Sequence, residues 1–134
     1  MAKSKFETSV AWVYASLGTQ TDSPDGTDLC SLIAAGDMMN HAILTLGEIV
    51  SACETLSLHG LVDFKNGRIC LTPHGRTVSE DGFRRRGGLF STIDKMRKAL
   101  NKFDHPVVDR EPDLSFLTES ELNNAYQEYR AWSD

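Results

Sequence analysis

A chain of 134 residues, 40% of them hydrophobic and 25% charged, carries enough apolar material for one domain with its own core, without disulfides or a metal. Its formal net charge of −5 excludes a general attraction to nucleic acid or to anionic membrane surfaces, and no apolar run approaches the ~18 residues of a membrane span. Three widely spaced cysteines (Cys30, Cys53, Cys70) and an N-terminus, Met1-Ala2-Lys3-Ser4-Lys5, without the apolar stretch of a secretory signal point to reduced thiols in a cytoplasmic protein.

Phe6, Val10, Val13, Tyr14 and Leu17 form one stripe of an amphipathic helix closed by Gly18. A polar loop follows over residues 18–26. Thr27 or Asp28 caps a second helix with Leu29, Leu32, Ile33 and Gly36 on its inner face, ending at Asn40 and His41. Thr45 and Glu48 make a Thr-x-x-Glu capping box for a third helix, with Leu44 and Ile49 as its hydrophobic staple. Leu46, Ile49, Val50, Cys53 and Leu56 line the inner face of that helix, and Gly60 stops it.

Asn66-Gly67 is a type I′ turn signal, since both positions of that turn need positive φ. Counting outward pairs Lys65 with Arg68, Phe64 with Ile69, Asp63 with Cys70 and Val62 with Leu71. Val62, Phe64, Ile69 and Leu71 then share the inner face. Thr72-Pro73 reads as a cap followed by proline at the first helical position, opening a short helix over residues 73–80. Residues 82–88, with three arginines and three glycines, read as a hinge or loop. Leu89, Ile93, Met96, Leu100 and Phe103 then repeat at four-three spacing along a helix, a narrow seam suited to a partner helix. Residues 104–117 read as an extended linker long enough to wrap over a surface. Thr118 and Glu121 form a second capping box, stapled by Leu117 and Leu122, for a final helix that buries Leu122, Ala125, Tyr126 and Tyr129.

Charge is blocked along the chain. Residues 6–64 contain eight acids and no Lys or Arg. Lys65, Arg68 and Arg76, and then Arg84, Arg85, Arg86, Lys95, Arg97, Lys98 and Lys102, make a basic middle, and residues 104–134 are acidic again. These blocks either neutralise one another on folding or present a basic surface.

The order helix, helix, helix, hairpin, short helix resembles the winged-helix superfamily, of the kind seen in MarR-like and PadR-like bacterial regulators. The residues that carry the resemblance are Leu44-Thr45-Leu46-Gly47-Glu48-Ile49, Leu56, His59-Gly60-Leu61-Val62, the hairpin, and Leu71-Thr72-Pro73-His74-Gly75. The resemblance spans roughly residues 6–80. It implies a mainly α fold with a small β-hairpin: a winged-helix domain over residues 6–80 and a two-helix C-terminal extension over residues 81–134. It also implies dimerisation through the added helices, which assigns the seam Leu89, Ile93, Met96, Leu100 and Phe103 to a homodimer contact; the alternative is that the seam packs on the last helix or on the first helix within one chain.

In DNA-binding members the third helix enters the major groove with basic or amide side chains. Here its outward positions read Gly47, Glu48, Ser51, Ala52, Glu54, Thr55 and Ser57, and carboxylates are repelled by phosphate. The favoured reading is therefore a non-enzymatic regulatory or adaptor module that contacts an unidentified protein partner. The alternative is a transcriptional regulator that touches DNA with Lys65, Arg68 and Arg76 and with Arg84, Arg85 and Arg86. Lys65 and Arg68 are also explained as a solvated hairpin tip, and Arg84, Arg85 and Arg86 as a linker docked on the acidic front. No catalytic, cofactor or metal constellation is legible. His41, His59, His74 and His105 are scattered, and Cys30 and Cys53 fall on apolar helix faces. Asp37, Asn40 and His41 read as a helix-end hydrogen-bond network or, less simply, an acid/base set.

Overall fold

The computed structural model describes residues 6–21, 25–86 and 92–132. Six helices and one hairpin follow along them: α1 (Thr8–Gly18), α2 (Leu29–Asn40), α3 (Leu46–Leu58), β1 (Val62–Lys65), β2 (Arg68–Leu71), α4 (Pro73–Arg84), α5 (Thr92–Lys102) and α6 (Glu119–Ala131). The architecture is mainly α with a small antiparallel hairpin, compatible with a winged-helix shape. No described helix is long and apolar enough to cross a membrane.

α1 is the axis of the molecule. It contains no charged residue, and every position from Val10 to Gly18 is buried. An apolar stripe on one face was the expectation. The helix is instead covered on all sides, by α2, α3, α4 and α5. A helix without a polar face belongs inside, and its two buried hydroxyls are satisfied, Ser16 by the Trp12 carbonyl at 2.8 Å and Tyr14 by the Gly75 carbonyl.

Local chemistry fixes the neighbouring elements. Asp28 caps α2 by accepting from the Ser31 N–H at 2.7 Å, and His41 ends it in the left-handed region at φ 51°. At α3 the Thr45–Glu48 capping box is complete in both directions, with Leu44 and Ile49 both buried beside it. At α6 Thr118 accepts from the Glu121 N–H at 3.1 Å, which closes one half of the expected box. The hairpin pairs Val62 with Leu71, Asp63 with Cys70, Phe64 with Ile69 and Lys65 with Arg68, in the register that the turn dictates. Asn66 and Gly67 both hold positive φ, 53° and 73°. Thr27, one of the two candidate caps of α2, adds instead a single bridge to Ile69 through two backbone hydrogen bonds of 2.8 and 3.0 Å.

Three further expectations are corrected. Ala52 lies inside, with Ile49, Cys53 and Leu56, because α3 packs squarely on α1. α4 continues to Arg84, so the arginine-rich segment begins as helix and not as loop. Gly82 is buried on α5, where an added Cβ would meet the Met96 side chain, and that contact carries the helix past residue 80. α5 packs on α1 and α4, and Met96, Ala99, Leu100, Leu117 and Ala125 join the same core as residues 6–80. The boundary expected between residues 80 and 81 falls within α4.

Candidate functional site

The surface that the resemblance singles out is α3 with the hairpin behind it. Gly47, Ser51 and Glu54 are exposed on α3, Glu48 is half-buried and engaged in its capping box, and Leu58 stands 46% exposed at the carboxyl end. The outward face is thus small, acidic and, at one end, apolar.

The carboxyl end of α3 and the hairpin are covered by the chain itself. Residues 104–117 have no regular secondary structure and run across them as a strap. The Val108 N–H donates to the Leu58 carbonyl at 2.7 Å, an orphan acceptor of the last helical turn. Pro106 lies against Gly60, where a Cβ would come 2.7 Å from its ring. Gly60 holds φ +68°, so this position needs glycine both for its backbone and for the strap's approach. Arg110 meets Asp63 of β1 at 3.5 Å, and the Phe116 ring rests on Phe64 with centroids 6.0 Å apart. The wrapping expected of residues 104–117 is what the chain does.

The strap is anchored where three histidines meet. His59 caps α3, His74 sits in the first turn of α4, and His105 begins the strap. His105 Nε2 lies 2.6 Å from the Leu100 carbonyl, and its Nδ1 lies 2.8 Å from His74 Nε2. His59 and His105 stack edge-on around Phe6, each with ring centroids 5.3 Å from it. His59 Nδ1 is buried without a partner. Burial, then the neighbouring His105, lowers the proton affinity of both His59 and His74 below the ordinary imidazole. Among the described residues no three His, Cys, Asp or Glu side chains gather as metal ligands. Sequence reading missed this cluster. The three residues are far apart in the chain, and only the path of the strap brings them together.

The other residues singled out in the sequence are placed as follows. Lys65 is exposed and Arg68 half-exposed at the hairpin tip, and Arg76 is exposed on α4. Arg84 pairs with Glu80 at 3.6 Å and Arg85 with Asp81 at 2.9 Å, each within one helical stretch, while Arg86 is exposed. Among the described residues the basic run is therefore partly neutralised by its own helix. Of the seam, Leu89 lies outside the described residues. Met96 and Leu100 are fully buried inside the chain, and Ile93 and Phe103 are half-buried. A contact between copies along this seam would have to rest on Ile93 and Phe103. Asp37 accepts from the Tyr129 hydroxyl at 2.6 Å and so ties α6 to α2, a structural use of the polar cluster.

An open groove of about 410 Å³ runs beside α1, α3 and α5, floored by Trp12 and Ile93. Its strongest donors are already used: Arg97 Nε on the Phe6 carbonyl at 2.8 Å, and Trp12 Nε1 on the Gly36 carbonyl at 3.0 Å. Burial holds the thiols of Cys30 and Cys53 up at about 11 and about 12, so both stay protonated and unreactive near neutrality. No protein-family model matches the chain, and neither does a curated protein or a solved structure.

Proposed function

We propose that the chain is a winged-helix module of the regulatory or adaptor kind, without catalysis, that acts through contacts with another protein. The outward face of α3 is the observation that supports this most strongly. The strap occupies the carboxyl end of that helix and packs Phe116 on Phe64 of the hairpin, whereas a DNA-reading relative meets bases with the amino-terminal residues of its recognition helix. What α3 leaves outward is Gly47, Ser51, Glu54 and Leu58, which suits a protein surface with basic and apolar side chains and opposes phosphate.

The second reading, DNA contact by the hairpin tip and basic segment, draws on the exposure of Lys65, Arg76, Arg84 and Arg86. Fluorescence anisotropy with random and genomic duplex fragments separates the two. The adaptor reading expects no binding even at low salt, about 50 mM. Binding that weakens steeply towards about 200 mM, and is lost when Lys65 and Arg68 are both changed to Glu, would replace it with the DNA reading.

A further inference from the structure

The three histidines and the strap they anchor bear on control, whichever partner the covered surface has. His105 Nε2 faces a carbonyl oxygen, so it carries the hydrogen and donates to Leu100. Its Nδ1 is then the bare acceptor, and His74 Nε2 must donate to it. His59 Nδ1 is buried without a partner, and its ring packs edge-on against Phe6 with its centroid 5.9 Å from that of His105. The chain from His74 through His105 to the Leu100 carbonyl is complete with neutral rings, and it holds the beginning of the strap to α4 and the end of α5.

We propose that His59, His74 and His105 form a proton-operated latch that keeps residues 104–117 closed over the carboxyl end of α3 and the hairpin, and that proton uptake by these rings opens it.

A proton on His59 Nδ1 makes a buried, charged N–H with no acceptor. The His74–His105 pair can share one added proton through its existing hydrogen bond, but a second places two donors face to face at 2.8 Å. Ring centroids of 5.0 Å between His74 and His105 and 5.9 Å between His59 and His105 set any charges so formed against each other. His74 also lies in the first turn of the 12-residue α4, where the helix dipole opposes a cation. The carboxyl end of α3 favours charge at His59, and burial outweighs it.

The elements packed around the cluster bring Phe6 and Glu7 ahead of α1, Glu54 on α3, Arg76 on α4, Arg97 and Lys102 on α5, and Asp104 on the strap. Of the neighbouring groups, His105 is the one whose electrostatic effect opposes a proton on both His59 and His74, and no carboxylate figures among the causes for either ring. The sign follows. Rings whose proton affinity is lowered in the closed state take up protons more readily once released. Closure is therefore fully favoured above the ordinary value of 6.5, and is lost as the pH falls below it. Opening frees the Leu58 carbonyl, Gly60 and Phe64, which lie on the surface that the adaptor reading assigns to a partner. The latch itself does not depend on that reading.

The test is amide exchange on the intact chain by NMR, corrected for the intrinsic pH dependence, with the Val108 amide reporting the strap and Leu32 in α2 reporting the body. We expect Val108 protection to fall by about tenfold or more between about pH 7.5 and pH 5.0 while Leu32 protection holds. His59→Gln keeps a neutral polar side chain at the end of α3, and should retain the Val108 protection seen at neutral pH while losing a large part of the acid response. Val108 protection that does not change with pH, or that falls only in step with Leu32, overturns the proposal. So does an undiminished response in folded His59→Gln. Should that variant not fold, ring titrations of the parent decide. The His59 and His74 imidazoles should gain protons in the same pH interval in which Val108 opens, and imidazoles that titrate without opening overturn the latch.

Discussion

Gly75 illustrates how a single missing side chain shapes the region. A Cβ at this position would strike the carbonyl oxygen of Leu61, which is backbone and cannot rotate away. The same carbonyl accepts from the Thr72 N–H at 3.1 Å, and the Thr72 hydroxyl donates to the Gly60 carbonyl at 2.6 Å while capping α4 through Gly75 N–H. The buried Tyr14 hydroxyl in turn donates to the Gly75 carbonyl, which locks α4 to α1. The Leu-Thr-x-x-Gly segment thus pins the exit of the hairpin to its entrance. Gly75→Ala is expected to destabilise the protein by about 1–3 kcal/mol through overpacking. Gly47→Ala offers the contrast, because nothing lies within 4 Å of its Cβ position on the exposed face of α3. That change should stabilise by roughly 0.5–1 kcal/mol through helix propensity. Urea unfolding of the two variants checks both; a neutral Gly75→Ala would remove the steric account.

At the scale of elements, what could be read from sequence was what neighbouring residues decide. The Thr45–Glu48 box, the Asn66-Gly67 turn and the whole hairpin register are contacts between residues close in the chain, and each is present as expected. Features decided by distant packing were not legible. The all-round burial of α1 depends on four other helices, although its lack of any charge from Thr8 to Gly18 was a usable sign. The continuation of α4 to Arg84 depends on Gly82 meeting Met96. The histidine cluster depends on the route of the strap, which no local pattern specifies. α6 shows the same dependence on remote partners. It packs on α2, buries only Ala125 fully, and is tied down by the Tyr129 hydroxyl on Asp37 at 2.6 Å. An element with so little buried surface should open ahead of the rest of the molecule. Tyr129→Phe is expected to speed amide exchange along α6 and to leave α1 unaffected, as hydrogen-exchange mass spectrometry can read. Equal acceleration in both helices would mean that α6 is not an independent unit.

For the molecule as a whole, the placement of α5 decides between an appended arm and an integral part of the core. Heptad-like spacing alone fits either, because a narrow apolar stripe serves a helix of another chain or of its own equally well. The surroundings of α5 favour its own. Its Arg97 and Asn101 grip the backbone of Phe6 from both sides, donating to the Phe6 carbonyl and accepting from the Phe6 N–H, each at 2.8 Å. Met96, Ala99 and Leu100 fill the space against α1 and α4. Lys98 is spent on Asp94 of the same helix at 3.2 Å, an exposed pair that contributes little. Truncating Leu100 to Ala should therefore cost about 2–5 kcal/mol, as for any core leucine, and Leu100→Asp should abolish cooperative unfolding by leaving a carboxylate without a partner in the core. Ile93→Asp, at a half-buried position, should keep both the thermal transition and the elution volume of the parent. A folded Leu100→Asp protein that elutes later than the parent would instead assign α5 to a contact between copies, and would detach residues 92–102 from the core described above.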